Sequence, residues 1–171
     1  HDKSFTTLAS DEAKKIAAEK GIADPQKDDK CVKCHVTAFG VAPELIAKGF
    51  DQKYGVQCES CHGPGEAHMK ARLAAAAAEP EGAPKTYKQL GEGELITAPD
   101  VKVCLTCHNS ESPSFKSFCF NKSEAKVRHL HPMKPRTEEQ KKALDKKACD
   151  DKCKCTDGCP ANTCGACPED K

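Results

Sequence analysis

Three segments of this chain share one spacing: Cys31-Val-Lys-Cys34-His35, Cys58-Glu-Ser-Cys61-His62 and Cys104-Leu-Thr-Cys107-His108. Two thiols separated by two residues, with an imidazole directly after, form the attachment frame of a c-type haem. Each thiol adds its S–H across one vinyl group of a single porphyrin. The next residue then falls beneath the iron, where a His supplies the proximal nitrogen. With 13 Cys and 7 His in 171 residues, chance would give roughly 0.04 such frames. A zinc ribbon also uses paired Cys, but zinc needs no His after each pair, and here every pair has one. The frames therefore predict three covalent haem c groups, held by Cys31, Cys34, Cys58, Cys61, Cys104 and Cys107, with His35, His62 and His108 on the irons.

Four further His remain: His1, His68, His129 and His131. As distal ligands they would make an iron six-coordinate and low-spin, which suits single-electron transfer, whereas an open position suits binding or reduction of a small molecule. The bland alternative for each is an exposed imidazole with no role. A helix over the late pair would point His129 and His131 to nearly opposite sides, so the two would not serve one iron.

The rest of the composition fits a protein built around such groups. Apolar residues are 37% of the chain, aromatics 5%, Trp is absent and mean hydropathy is −0.67. That is poor material for an ordinary core, and three porphyrin faces would replace the missing apolar mass. Lys and Arg number 27 against 26 Asp and Glu, a net charge of +1, which lacks the basic excess of a nucleic-acid binder. No run approaches the length of a membrane span. The sequence shows no signal-peptide pattern and starts at His1 without Met, as expected of a mature, processed or incomplete sequence. Covalent haem attachment is a secretory-side modification, so the expected location is periplasmic or extracellular, where disulfides are also allowed.

The elements that must position the frames read as helices and loops. A helix is expected over 5–21, with Ser10 as a good N-cap, acidic Asp11 and Glu12 after it and Gly21 at the C-terminal end. Residues 36–57 carry Gly40, Pro43, Gly49 and Gly55 and read as irregular connection. Gly63-Pro64-Gly65 is a sharp turn before a helix over Glu66–Glu79, which holds the run Ala74–Ala78 and stops at Pro80. Residues 80–100 form a long loop with room for a short strand or hairpin at Glu94–Thr97. Ser123 could cap a helix ending at Pro132, and Thr137 with Gln140 makes a capping box for a last helix to about Ala148. The fold class expected is mostly α: a loop-rich, small multihaem c-type cytochrome over 1–148, followed by a Cys-rich tail over 149–171.

The stretch His1-Asp-Lys-Ser-Phe, a Lys-rich helix, Asp24-Pro25-x-Lys27-Asp, and Cys31-Val-Lys-Cys34-His35-Val-x-x-Phe39-Gly40 resembles the cytochrome c-554 family of nitrifying bacteria. Gly55-Val-x-Cys58-Glu-Ser-Cys61-His62-Gly63-Pro64-Gly65 is similar to it and is the most specific piece. The third frame and the late His-x-His extend the resemblance to about residue 132. It implies a mostly helical protein with haems stacked in parallel and perpendicular pairs for rapid electron flow, and four haems in the family. The family's first frame precedes the residue matching His1 and is not in this sequence, so the resemblance implies either truncation just after that frame, the reading favoured, or a protein that has dispensed with it. The resemblance also implies an open sixth position on the His35 haem and His1 as distal ligand of the His108 haem. The His62 haem would take its distal ligand from the late pair, His131 ahead of His129. His68 would match the ligand of the missing haem and has no assigned iron.

The tail departs from that pattern. Cys149, Cys153, Cys155, Cys159, Cys164 and Cys167 sit among Asp, Lys, Gly and Pro with almost no apolar side chain. Such a segment must be cross-linked or metal-bound to be ordered, and disulfides are the expectation over zinc or an iron–sulfur cluster. Cys119 is the odd one of seven Cys outside the frames.

The function expected is non-enzymatic electron transfer, passing single electrons between redox protein partners. The family's partner is a hydroxylamine-oxidising enzyme, although no residue here identifies a donor. Two alternatives stand beside it. One is a subunit of a haem-protein polymer or larger redox complex, with His68 or His1 ligating a neighbouring chain's iron. The other is reduction of a small nitrogen oxide at an open His35 haem.

Overall fold

A computed structural model describes residues 1–115, 118 and 120–144. Among the described residues the chain forms helices and turns and no strand, so it is mostly α and loop-rich as expected. It divides into two units, residues 1–66 with 95–107, and residues 67–94 with those from 108 onward.

In the first unit the helix expected over 5–21 is two helices, α1 (Ser4–Thr7) and α2 (Asp11–Glu19). Ser10 causes the break. Its extended backbone (φ −67°, ψ 155°) caps α2, and its hydroxyl accepts the Ala13 N–H at 3.2 Å, a bond that only a residue outside the helix can make. The other end of α2 is a Schellman motif: with Gly21 at φ 68°, Gly21 N–H donates to Ala18 O at 3.0 Å and Ile22 N–H to Ala17 O at 2.8 Å.

Helix α3 (Asp29–His35) carries the whole first frame and starts at Asp28, whose carboxylate accepts the Lys30 N–H at 2.9 Å. Residues 36–57 are irregular, with 3₁₀ turns at Pro43–Leu45 and Gln52–Tyr54. Helix α4 (Glu59–His62) holds the second frame and packs against α6 (Val101–Leu105), which holds the start of the third. Asp100 caps α6 as Asp28 caps α3, accepting the Lys102 N–H at 2.7 Å. The core is small: Leu8, Val32 and Val36 are buried together, with Phe5 and Cys31 packed on them.

The second unit holds α5 (Glu66–Ala77, its first residue in the first unit), α7 (Phe120–Val127) and α8 (Glu138–Leu144). Helix α5 stops two residues short of Glu79, and Pro80 follows. Residues 94–97 are not a strand. Ser123 lies inside α7 rather than capping it, and α7 ends at Val127 rather than at Pro132. Pro132 disfavours helical backbone at His131, and the His129 ring takes the Val127 carbonyl at 3.2 Å, where a further helical N–H would have bonded. The capping box on α8 is present: Gln140 N–H donates to Thr137 Oγ1 at 3.2 Å and Thr137 N–H to Gln140 Oε1 at 2.9 Å. Cys119, the end of the last expected helix and the tail from 149 with its expected disulfides lie outside the described residues.

Candidate haem-binding site

The first frame lies on one face of α3. Three residues apart, Cys31 and Cys34 are neighbours on a helix, and His35 is its last residue. The imidazole is held from outside the helix: its Nδ1 lies 2.7 Å from Ser4 O. A carbonyl only accepts, so Nδ1 carries the proton and the lone pair sits on Nε2, the tautomer that ligates iron. Burial, with Asp28 nearby, pushes the Cys31 thiol above its ordinary pKa, and the frame cysteines are thiols rather than disulfides.

The second frame is built the same way from other parts. Cys58 directly precedes α4, Cys61 lies within it and His62 ends it. His62 Nδ1 donates to Ile96 O at 2.5 Å, while Ile96 N–H donates to His62 O at 3.1 Å. This two-way clasp uses the backbone groups that a hairpin at 94–97 would have needed, which is why no strand forms there. The Ile96 side chain is half exposed beside Gly63, and a Cβ on Gly63 would meet its Cδ1 at 3.4 Å. Burial pushes the thiols of Cys61 and Cys104 upward; Cys107 adds to the rise at Cys61, and Cys61 to the rise at Cys104. The second and third attachment sites are therefore neighbours. In the second unit, the His108 ring stacks on buried Phe118, with centroids 4.7 Å apart. Burial lowers its pKa and so favours the neutral ring that a ligand must be.

Residues 1–63 match the sequence profile of the family described as cytochrome c554 and c-prime. The chain is also similar to cytochrome c-554 of Nitrosomonas europaea, 44% identical over 70 residues, which is 38% of this chain. Over that stretch the chain resembles the cytochrome c554 family. It spans only 29% of the relative's length, and no solved structure matches it. The matched residues contain the first two frames and stop just after His62, so the third frame and the late His pair stand on their own motifs.

This resemblance implies covalently bound haem c, and the chain's residues fit that group. Frames one and two each offer two thiols and an imidazole in the ligating tautomer. Among the described residues no cluster of three or more His, Cys, Asp or Glu is arranged to hold a bare metal ion, as a zinc ribbon would require. The buried Nε of Arg72 has no hydrogen-bond partner in the polypeptide, an opening that suits a carboxylate such as a porphyrin propionate.

The remaining His differ. His68, on α5, points Nδ1 at Glu94 Oε1, 2.8 Å away. Glu94 is buried, and its other oxygen accepts from Gly91 N–H at 2.7 Å and Arg72 at 2.9 Å. The Gly91 N–H foremost, then His68 and Arg72, hold this carboxyl below its usual range. A carboxylate behind an imidazole is a common backing for a metal-ligating His. His129 directs Nδ1 at Val127 O, whereas His131 Nδ1 accepts the Met133 N–H at 3.2 Å and its ring packs edge-on to Tyr87, with centroids 5.1 Å apart. Neither lies on a helix, so the expectation that helical spacing turns them to opposite sides does not apply. His1 is pinned by its backbone, its carbonyl accepting from Ser4 N–H at 2.9 Å and Val56 N–H at 3.3 Å. Sequence spacing marked none of Ser4, Thr37, Glu94 or Ile96, because their partners lie far along the chain.

Proposed function

We propose that this c554-family chain carries three haem c groups on Cys31/Cys34, Cys58/Cys61 and Cys104/Cys107 and passes single electrons between redox proteins. Haem c supplies, when bound, an iron that changes oxidation state by one electron. The observation that carries the reading is the pair of imidazoles oriented by backbone carbonyls, His35 by Ser4 and His62 by Ile96.

The chain's residues do four things here. The thiols fix each porphyrin. His35, His62 and His108 would ligate through Nε2; the Nδ1 bonds of His35 and His62, and the stacking of His108 on Phe118, hold the rings in place, which limits reorganisation when charge changes. The closeness of Cys61 to Cys104 brings two haems within a short step of each other. Distal ligands come from the other His: Glu94 backs His68 for that role, and the late ligand is His129, whose Nδ1 contact leaves the Nε2 lone pair, rather than His131, whose bond from Met133 places the proton on Nε2. The protein works on the periplasmic or extracellular side, and among the described residues no helix is long and apolar enough to cross a membrane.

Intact mass of the purified protein tests the count, with three haem increments expected on the peptide spanning 31–108. A low-spin spectrum with sharp reduced α and β bands, unmoved by nitric oxide on at least two haems, is expected of an electron carrier. Two haems or fewer, or high-spin signals throughout, would overturn the proposal.

A further inference from the structure

Two buried or half-buried hydroxyls join the first frame to the second. Thr37, two residues past His35, is 3% exposed. Its Oγ1 donates to Gly55 O at 3.1 Å, accepts from Gln57 N–H at 2.6 Å, and lies 2.8 Å from Ser60 Oγ. A hydroxyl has one proton and two lone pairs. The proton is on Gly55 and one pair faces Gln57, so Ser60 must donate into the other, and Thr37 is saturated. Ser60 stands between Cys58 and Cys61, inside the second frame.

Ser4 completes the connection. Its Oγ donates to His35 O at 3.0 Å and accepts from Val56 N–H at 2.9 Å, while its carbonyl holds His35 Nδ1. Gly55 lets the strands of chain come this close: a Cβ there would sit 2.6 Å from Ser4 Oγ and 2.9 Å from Asp2 O, at a φ of 72°. Segments 1–4, 35–37 and 55–60 are thus tied through two side-chain oxygens, Ser4 Oγ with two hydrogen bonds and Thr37 Oγ1 with three.

We propose that Ser4 and Thr37 are positioning residues which lock the His35 imidazole to the second attachment frame, so that the ligand field of the first haem depends on a hydroxyl in the second frame. The proposal rests on the reading that both frames hold haem. Neither hydroxyl touches a porphyrin thiol or a ligating nitrogen; they act by fixing the angle of His35 and the course of Cys58–His62 together. A buried, saturated hydroxyl is costly to remove from one side only, since its three partners lose a bond.

The test is paramagnetic resonance of the oxidised holoprotein, with each haem signal assigned by replacing that frame's His with Met. Thr37→Val keeps shape and removes the hydroxyl; it should shift the g-values of both the His35 and His62 haems and leave the third unchanged. Thr37→Ser should restore both. Ser60→Ala, a milder change in the second frame, should shift the His35 signal although Ser60 is outside that frame. Should Thr37→Val fail to take up haem, Ser60→Ala with Thr37→Ser decides alone. An unmoved His35 signal in Ser60→Ala, or Thr37→Ser as disturbed as Thr37→Val, overturns the tie. Absence of haem from either frame in the wild type overturns the haem reading instead, and mass spectrometry shows that before any spectrum is taken.

Discussion

An imidazole ligates through the nitrogen that lacks the proton, so the hydrogen bond at its other nitrogen decides whether it is ready for iron. His35 and His62 each send Nδ1–H to a carbonyl, and His129 does the same toward Val127, while His131 accepts at Nδ1 from Met133. On the proposed reading, in which the late pair supplies a distal ligand, removing that ligand should turn one low-spin haem high-spin. His129→Ala is expected to do so and His131→Ala is not, an outcome that optical and resonance spectra of the two oxidised variants would settle; the reverse pattern would sink the tautomer argument. Gly55 gives a second residue-scale test. Its backbone (φ 72°, ψ −145°) is one that only glycine adopts at low cost, and any Cβ meets Ser4 and Asp2. Gly55→Ala should lower stability by about 2–4 kcal/mol in denaturant unfolding of the holoprotein. The frames could be read from sequence because their spacing is local. The groups that orient their imidazoles could not, because Ser4 is 31 residues from His35 and Ile96 is 34 from His62.

At the scale of elements, the first frame and the start of the third sit on short helices begun by an Asp: Asp28 before α3 and Asp100 before α6. Helices of 7 and 5 residues are marginal alone, so the cap matters more than on a long helix. Asp28→Ala should cost about 1 kcal/mol and lower the melting temperature of the holoprotein, and no change would show that haem attachment alone fixes α3. The turn before α3 is held by Asp24, whose carboxylate accepts the Gln26 N–H at 3.0 Å and pairs with Lys27 at 3.0 Å. Lys27 first, then the Gln26 N–H, holds this carboxyl below its usual range. A folded-state pKa below the unfolded value gives stability that is present above the ordinary carboxylate range and lost as pH falls through the lowered value. Between about pH 5 and about pH 2.5, wild type should therefore lose slightly more melting temperature than Asp24→Asn; equal losses would show that Asp24 adds nothing. Cap chemistry made α2 and α8 legible in advance: Ser10 and the Thr137–Gln140 box mark where each begins. The same Ser10 divides what residue composition alone read as one helix, and the expected hairpin at 94–97 fails because its backbone bonds are spent on His62.

At the scale of the molecule, the described part of the chain has too little core to hold itself. The buried apolar side chains are Leu8, Ala17, Val32, Val36 and Phe118, and no side chain is fully buried. Large apolar side chains lie open instead, with Leu45 77%, Leu73 63% and Met69 55% exposed. Scattered exposed apolar residues are normal on a protein surface, but not together with so few buried ones. The low apolar content already pointed this way, and the placement of Ile96 beside His62 and of Cys31 against the small core shows where covering faces would lie. A fold whose apolar partners belong to a covalent cofactor should exist only when that cofactor is present, since binding to the folded state alone is stabilisation of folding. Expressed without haem attachment, the chain should lose most of its helical circular dichroism at 222 nm and melt without a cooperative transition, while the haem-loaded protein keeps both. Replacing only Cys104 and Cys107 by Ala should give a partial loss, because the first unit would retain two of its porphyrin attachments. An apoprotein with native helicity and a sharp melt would mean that the polypeptide supplies its own core after all.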